Sequence, residues 1–288
     1  MPKKVNVVKA TGEIEPFSPR KVLRSIKRAG ASNAAAQAVL SRVEKRLYEN
    51  ISTAEIFKFV KDELQKQYPQ TALRFNLKQS MRDLGPDGFS FEKYIKEILR
   101  HYGCLVRSVE FVPGRCISHE TDIVAENKNI VYFGECKYRN KPGDRIDVNV
   151  CMKLFAAAFD VKAGKYFKKE IDLGREIKPL LATNVKFSNQ AIKYSKCQGI
   201  GLLGWNYPKD KGLETMIGEK KLYPITILPS FKKYMNAAFG NTSVMLAKDL
   251  LEIRDAAKFA EKVSLPISKI NALVNEAKLL FDGTNPIV

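Results

Sequence analysis

The chain has 288 residues, with 49 Lys and Arg against 31 Asp and Glu, a formal charge of +18 and a pI near 9.6. Hydrophobic residues make up 45% of it and no apolar stretch could span a bilayer, which excludes a disordered chain and a membrane-spanning one. The start carries no apolar signal core, so we expect a cytoplasmic protein with five free cysteines, whose basic charge favours nucleic acid as a partner.

The first segment, residues 1–85, is predicted to form a β-hairpin followed by a helical bundle. Val5–Lys9 and Ile14–Phe17 are typical of short strands joined by a turn at Gly12. Helices are predicted to begin at Ser18-Pro19 and at the Ser52–Glu55 cap, and two more are predicted over about residues 33–49 and 71–84. The net charge of this segment is +9, which suits the binding of phosphate groups.

Four turn-forming residues, Gly85–Gly88, predict a domain boundary. The pattern after it predicts a helix at 91–102, strands at 105–112, 121–125 and 130–138, a helix at 146–160, a strand at 177–183, a helix at 188–197 and a strand at 200–203. This order is typical of an α/β domain with a mixed sheet, which we assign to residues 86–208. Residues 209–288 are predicted to form a small helical domain with breaks near Gly240 and Pro266.

The segment that is most informative about chemistry is the pair of strands around residues 122 and 135. Because side chains alternate across a strand, Glu135 and Lys137 point to the same face. A hairpin that turns at Asn127–Asn129 brings Asp122 opposite Glu135 or one same-face step away. Two carboxylates beside a lysine suit phosphodiester hydrolysis, because carboxylates and phosphate oxygens bind Mg²⁺ and a lysine stabilises developing charge. An exposed strand with an ordinary Glu–Lys pair is the alternative that these residues alone leave open.

The order of helix, three strands carrying Asp122 and Glu135-x-Lys137, and helix resembles the PD-(D/E)xK nuclease core, the restriction-endonuclease-like fold. Within it, Gly88–Tyr94 looks like the first helix of the Mrr-type branch, and the resemblance covers about residues 86–208.

This resemblance implies a DNA endonuclease that depends on Mg²⁺ or Mn²⁺. By position, Asp122, Glu135 and Glu92 are expected to hold the metal, and Lys137 completes the expected catalytic set. The proline that usually precedes the aspartate is missing here, so Glu120 stands as a rival metal ligand.

The basic first segment has a resemblance of its own. Val8–Gly12, Glu15–Ser18, Lys21-Val22 and Ile51–Ile56 are similar, in order, to the ATP-cone, a nucleotide-sensing module of ribonucleotide reductases and their repressor; the match covers about residues 3–84.

The ATP-cone resemblance implies ATP or dATP as an effector. Lys9 and Lys21 are expected to face phosphates, while Glu15, Ser18 and Thr53 are expected near the base or the lid. At the hairpin turn, Ala10 replaces the second cation that the family usually carries. A cone that has lost its nucleotide is the alternative.

Taken together, the sequence predicts a nucleotide-regulated, metal-dependent DNA endonuclease in three parts: an ATP-cone at 1–85, a nuclease-like domain at 86–208 and a helical domain at 209–288 that is a candidate DNA contact. Two alternatives are a nucleotide-responsive DNA-binding regulator that does not cut, and a structure-specific nuclease acting on branched DNA or RNA. A homo-oligomer is compatible with all three, and no membrane partner is expected.

Overall fold

The computed structural model describes residues 5–85 and 91–282, and these fall into two compact units. Unit 1 contains the described residues up to Asp83 and those from Tyr223 onward, whereas unit 2 runs from Leu84 to Leu222. The predicted domain boundary covers Gly85–Gly88. Its residues 86–88 lie outside the described part of the chain.

The amino-terminal part of unit 1 is a small sheet covered by helices, as predicted. Its elements are β1 (Asn6–Val8), β2 (Ile14–Pro16), α1 (Pro19–Arg28), α2 (Asn33–Glu44), β3 (Ile51–Ser52), α3 (Thr53–Gln67), α4 (Pro69–Phe75) and α5 (Leu77–Asp83). β1 pairs with β2 in antiparallel and with β3 in parallel orientation. The hairpin turns at Gly12, whose φ of 83° is one that glycine adopts without strain.

Three details of this part differ from the prediction. The strand β3 was not predicted, because two residues are too few to show a period of two. Helix α2 ends at Glu44 rather than near residue 49. The single helix predicted at 71–84 is two helices, α4 and α5, which meet at Asn76.

Unit 2 is built around a five-stranded mixed sheet. Its elements are α6 (Phe91–His101), β4 (Leu105–Arg107), β5 (Phe111–Pro113), β6 (Ser118–Glu120), β7 (Ile123–Glu126), β8 (Ile130–Lys137), β9 (Arg145–Ile146), α7 (Val148–Ala163), α8 (Lys168–Asp172), β10 (Glu176–Thr183), β11 (Lys186–Phe187), α9 (Asn189–Cys197), β12 (Gly201–Leu203) and α10 (Leu213–Glu219). The strand order is β12-β10-β8-β7-β4; β8, β10 and β12 are parallel, and β7 is antiparallel to both of its neighbours.

The buried face of β8 explains how the sheet holds its helices. Val131 and Phe133 belong to one apolar cluster with Leu154, Ala158 and Val161 of α7. Burial of this many large apolar side chains is the main stabilising contribution to such a layer. Further along the same face of β8 the apolar residues give way to Glu135 and Lys137, which are only partly buried.

The mixed sheet and its flanking helices confirm the predicted α/β class of the central segment. One predicted strand is wrong: residues 105–112 form the two strands β4 and β5, because the chain leaves the main sheet after Arg107. β5 then pairs with β6 in a separate two-stranded sheet, and a second small sheet joins β9 to β11.

The carboxyl-terminal part of unit 1 is helical, as predicted. It contains 3-10 turns at Ile225–Ile227, Lys233–Met235 and Ala247–Glu252, and the helices α11 (Asn236–Gly240), α12 (Ala256–Lys262) and α13 (Ile267–Phe281). Among the described helices, none has the length and hydropathy that a bilayer span requires.

This carboxyl-terminal part joins the amino-terminal helices within unit 1. Gln70 and Arg74 of α4 donate side-chain hydrogen bonds to the Leu280 carbonyl at 3.3 and 3.0 Å, and Thr226 donates to the Ser80 carbonyl at 2.8 Å. Residues 209–222, by contrast, belong to unit 2. The division into three independently folding domains stays a prediction, because compact packing does not show which segments fold alone.

Candidate active site and nucleotide site

Asp122 lies directly before β7 and close to Glu135 of β8. The antiparallel register pairs Ile123 with Gly134, so Asp122 and Glu135 are the next residues along the two strands. The register breaks at this point: the Asp122 N–H donates to the Gly134 carbonyl at 3.1 Å, one residue out of step, and the Asp122 carboxylate accepts from the Cys136 N–H beside Glu135. This is the juxtaposition that the hairpin pattern predicted, whereas the catalytic role of both residues stays a prediction.

Each of the two carboxylates is held by one oxygen. Asp122 Oδ2 accepts a hydrogen bond of 2.7 Å from the backbone N–H of the buried Cys136, and Glu135 Oε1 forms an ion pair with Lys137 Nζ. Among the described residues no further hydrogen-bond donor or cation pairs with either carboxylate. The site therefore presents two partly buried carboxylates, each with a single protein partner.

Glu92 shares the electrostatic environment of this pair. It is the second residue of α6, and desolvation raises its pKa above the ordinary value of a glutamate. The negative charges of Asp122 and Glu135 raise the pKa of Glu92 further, while Lys96 and Lys137 oppose the shift. The three predicted acids and Lys137 therefore act on one another.

A metal set of three acids is not assembled in the described part of the chain, where no group of three or more His, Cys, Asp and Glu side chains could hold an ion. The predicted set of Asp122, Glu135 and Glu92 therefore stays a prediction. Asp122 and Glu135 alone still meet the common requirement of Mg²⁺, which is often bound through one or two carboxylates, with waters and substrate phosphates completing the octahedron.

Two buried residues support the end of β8, and the sequence reading did not assign them a role. Thr183 is paired with Lys137 in the parallel register of β10 and β8, and its hydroxyl donates to the Lys137 carbonyl at 2.6 Å. Asn184 accepts from the Arg139 N–H at 2.9 Å and donates to the Arg139 carbonyl at 2.7 Å. Two polar residues directly after a buried strand were the available signal.

Glu120, the rival metal ligand, lies elsewhere in the strand arrangement. It is exposed on β6 and pairs with Phe111 in the separate β5–β6 hairpin. Asp160 of α7 holds this hairpin: its carboxylate accepts from the N–H groups of Cys116 and Ile117 at 2.9 and 3.2 Å. His119 Nε2 lies 2.8 Å from Asp160 Oδ2, and the contact with His119 is the main cause that lowers the Asp160 pKa.

The predicted nucleotide residues lie around the small sheet in unit 1, at both of its ends. Val8 pairs with Ser52 in the parallel register, and Lys9 and Thr53, the first residue of α3, follow directly at one end. Ser18 follows β2 at the other end, where the Phe17 N–H donates to the Val5 carbonyl at 2.8 Å, and as the N-cap of α1 its side chain makes no capping hydrogen bond. Helix amino termini carry partial positive charge, so the beginning of α3 beside Lys9 suits a phosphate.

Glu15 links the two predicted phosphate-facing lysines. Its carboxylate lies 2.9 Å from Lys9 Nζ and 2.7 Å from Lys21 Nζ, and Lys9 also lies 3.2 Å from Glu13. The hydrogen bond from Lys21, and then that from Lys9, lowers the pKa of Glu15, while Glu15 and Glu13 raise the pKa of Lys9. The structure thus brings Lys9, Glu15 and Lys21 into direct contact.

Comparison with known proteins identifies both parts of unit 1. Residues 5–82 match the ATP cone domain, and residues 223–281 match the AF1548-like C-terminal domain. An uncharacterised protein of Archaeoglobus fulgidus is 31% identical over 185 residues, which are 63% of this chain and 96% of that protein. The crystal structure of a protein of unknown function, AF1548, is similar with a TM-score of 0.54 and 30% identity, covering 65% of this chain and 94% of the other.

The chain is thus a two-unit α/β protein whose first segment is an ATP cone, as the sequence predicted. It belongs to the AF1548-like family.

Proposed function

We propose that unit 2 is a metal-dependent nuclease that hydrolyses phosphodiester bonds in DNA, and that the cone makes it responsive to ATP or dATP. The observation that carries the proposal is the proximity of Asp122, directly before β7, to Glu135 of the adjoining strand β8, with Lys137 paired to Glu135. Two acids on a DNA-facing surface repel phosphate, so they serve a DNA-binding protein only if a cation lies between acid and phosphate.

The order of the helices and strands in unit 2 supports the nuclease proposal. α6 precedes the sheet, Asp122 directly precedes β7, β8 carries Glu135 and Lys137, and α7 leads from β8 toward the parallel strand β10. This is the order on which the resemblance to the PD-(D/E)xK core rests. Because a fold alone does not define an activity, the proposed activity depends on the side chains at the end of β8 and not on the order of elements.

Asp122 and Glu135 would hold a divalent metal ion through their carboxylate oxygens. Such an ion would acidify a bound water and offset the charge that builds on the phosphate. Glu92, exposed in the first turn of α6, would lie at the rim of the site.

The protein's own groups would orient the reaction. Glu135 holds Lys137 in place, so that the ammonium group is available to a water or to a phosphate oxygen beside the acids. The Cys136 N–H fixes the orientation of Asp122. Thr183 and Asn184 would hold the backbone at Lys137 and Arg139 through hydrogen bonds to their carbonyl groups, which would keep the lysine at a constant distance from the acids.

The cone would supply the response to a nucleotide. Lys9 and Lys21 offer two cations to a triphosphate, and the beginning of α3 follows Ser52 at the end of the sheet where Lys9 lies. A bound nucleotide would compete with Glu15 for these lysines, so its arrival changes the contacts of the hairpin. This is a direct route by which binding alters unit 1.

A second candidate function is a nucleotide-responsive DNA-binding regulator that does not cut. The observation in its favour is that, in the described chain, no three-acid group suited to a metal is assembled. The two functions make opposite predictions for cleavage and the same prediction for DNA binding, so a cleavage assay separates them.

The test of cleavage uses supercoiled plasmid, single-stranded and branched DNA with Mg²⁺ or Mn²⁺, with and without ATP or dATP. Asp122→Asn should abolish cleavage with DNA affinity equal or higher, because one negative charge leaves the site. Glu120→Gln removes the same charge from the β5–β6 hairpin and should cut like the wild type. Loss of cleavage in Glu120→Gln with full activity in Asp122→Asn would make the assignment of the acids wrong.

The test of the cone is thermal unfolding with ATP, dATP, ADP and AMP. A ligand that binds only the folded cone at a hundred times its Kd stabilises it by about 2.7 kcal/mol. Lys9→Ala with Lys21→Ala should remove the shift. The control Lys45→Ala with Lys58→Ala removes two exposed lysines of the same unit and should retain it. An absence of any shift in the wild type would contradict nucleotide regulation and leave cleavage untouched.

A further inference from the structure

Helix α1 carries an unusual concentration of positive charge. Five of its ten residues are basic and none is acidic, and no Asp or Glu occurs between residues 16 and 43. At 3.6 residues per turn the five basic residues fall within an arc of about 120° on the helix surface. They are Arg20, Lys21, Arg24, Lys27 and Arg28, and all five are exposed.

The opposite side of α1 is fixed in the core of unit 1. Ile26 is fully buried, Ala29 just after the helix is buried, and Val22 and Leu23 pack against the same apolar cluster. The basic side therefore faces outward in the folded unit. An amphipathic helix binds a lipid surface by inserting its apolar side, and here that side is already occupied by the protein core.

The outward charges are largely uncompensated within the described chain. Arg20, Arg24 and Lys27 have no ion-pair partner among the described residues, whereas Lys21 pairs with Glu15 at 2.7 Å. Like charges on one helix face repel one another at spacings of three and four residues and destabilise an isolated helix. Their retention without acidic neighbours indicates an anionic partner outside unit 1.

We propose that the basic face of α1, defined by Arg20, Arg24 and Lys27, binds the phosphate backbone of duplex DNA. Seven residues separate Arg20 from Lys27, which is a rise of about 10 Å. Duplex DNA carries one phosphate per about 1.7 Å of its axis, so about six phosphates lie along that length and three cations can each find one. This face thus holds DNA without reading its sequence.

The position of this face explains how a nucleotide would act on DNA binding. Lys21 lies at the edge of the basic face and belongs to the nucleotide site through Glu15. A triphosphate bound there would place negative charge beside the DNA phosphates. Bound nucleotide and bound DNA would therefore weaken each other, and by linkage the two effects are equal in size. This step rests on the proposed nucleotide function, whereas the binding of DNA by α1 does not.

The test measures the affinity of the full chain for a labelled 30-base-pair duplex in EDTA, by fluorescence anisotropy, between about 50 and 300 mM salt. Replacing Arg20, Arg24 and Lys27 with Ala should reduce the slope of log affinity against log salt by about 2.7, at about 0.9 per phosphate contact. The affinities of the wild type and of the triple variant converge near 1 M salt, so at 0.1 M salt they should differ by up to about 500-fold.

Two control variants accompany this triple variant. Lys45→Ala, Lys58→Ala and Lys66→Ala remove the same total charge from exposed positions at the end of α2 and on α3 and should leave the slope unchanged. Arg20→Lys with Arg24→Lys keeps the charge on α1 and should bind like the wild type. Far-ultraviolet circular dichroism confirms that each variant is folded.

An unchanged slope in the α1 triple variant, or an equal loss in the control variant of Lys45, Lys58 and Lys66, would overturn the proposal. So would a loss of binding to phosphatidylserine vesicles with DNA affinity intact, because the partner would then be a lipid surface. EDTA removes cleavage from the measurement. A chain that binds duplex through α1 but never cuts it would contradict the nuclease proposal alone.

Discussion

Replacement of Asn184 by Ala should destabilise unit 2 and displace the end of β8. The side chain is buried, and the substitution removes two hydrogen bonds to the backbone of Arg139, at 2.9 and 2.7 Å. Each such bond contributes about 1 kcal/mol, and a backbone group left unpaired away from water costs about 1–3 kcal/mol more. Because the Arg139 groups are only partly buried, we expect a loss of about 2–4 kcal/mol in the free energy of unfolding.

The single tryptophan makes this loss measurable for unit 2 alone. Trp205 is buried in that unit, so its fluorescence in a urea titration reports the unfolding of unit 2 and not of unit 1. The control Asn189→Ala removes an exposed asparagine and should lie within about 0.5 kcal/mol of the wild type. If Asn184→Ala unfolds at the wild-type urea concentration, its hydrogen bonds to Arg139 do not support the site. Cleavage should also slow by about tenfold or more, because Lys137 loses its fixed position.

Two further predictions concern titration and reactivity. Glu15→Gln should lower the melting temperature of unit 1 at neutral pH, because two lysines depress the Glu15 pKa. The wild-type advantage is present above the ordinary glutamate pKa and is lost as pH falls through the folded one, so the difference between the two melting temperatures should shrink as the solution becomes more acidic than the ordinary glutamate pKa. A difference that stays constant throughout the acidic range would contradict this. Burial raises the pKa of the Cys136 thiol well above its usual value, so a thiol reagent at pH 8 should modify the exposed Cys197 and leave Cys136 intact. Peptide mapping identifies the modified residues. Rapid labelling of Cys136 would show that the end of β8 is open.

The pairing of Asp122 with Glu135 was accessible from the sequence because it depends on local geometry. A short turn at residues 127–129 and a period of two suffice to set which residues of a hairpin face each other. The contact of Lys9 with Glu15 was not predicted, although it also depends on local geometry, since both residues lie on one hairpin. Helix caps such as Ser52, which accepts from the Glu55 N–H at 3.1 Å, are equally local.

Features that depend on distant parts of the chain were not accessible. Asn184 contacts Arg139, 45 residues away, only because β8 and β10 are neighbours in the sheet, and strand order is not encoded in a local pattern. The assembly of unit 1 from two separate segments of the chain is a second case. Arg74 donates to the carbonyl of Leu280 across an insertion that contains all of unit 2, so the start of the carboxyl-terminal part at Tyr223 leaves no local signal.

The most direct test of the central claim is the rate of phosphodiester hydrolysis in a labelled duplex at saturating protein, for the wild type and for Glu135→Gln. The substitution keeps the shape of the side chain and removes its charge. With Mg²⁺ present, we predict that the wild type cuts, that Glu135→Gln cuts at least about a hundredfold more slowly, and that its affinity for the duplex in EDTA is equal or higher. Equal rates for the two proteins, or hydrolysis that persists in EDTA, would contradict a metal-dependent nuclease built on Asp122 and Glu135.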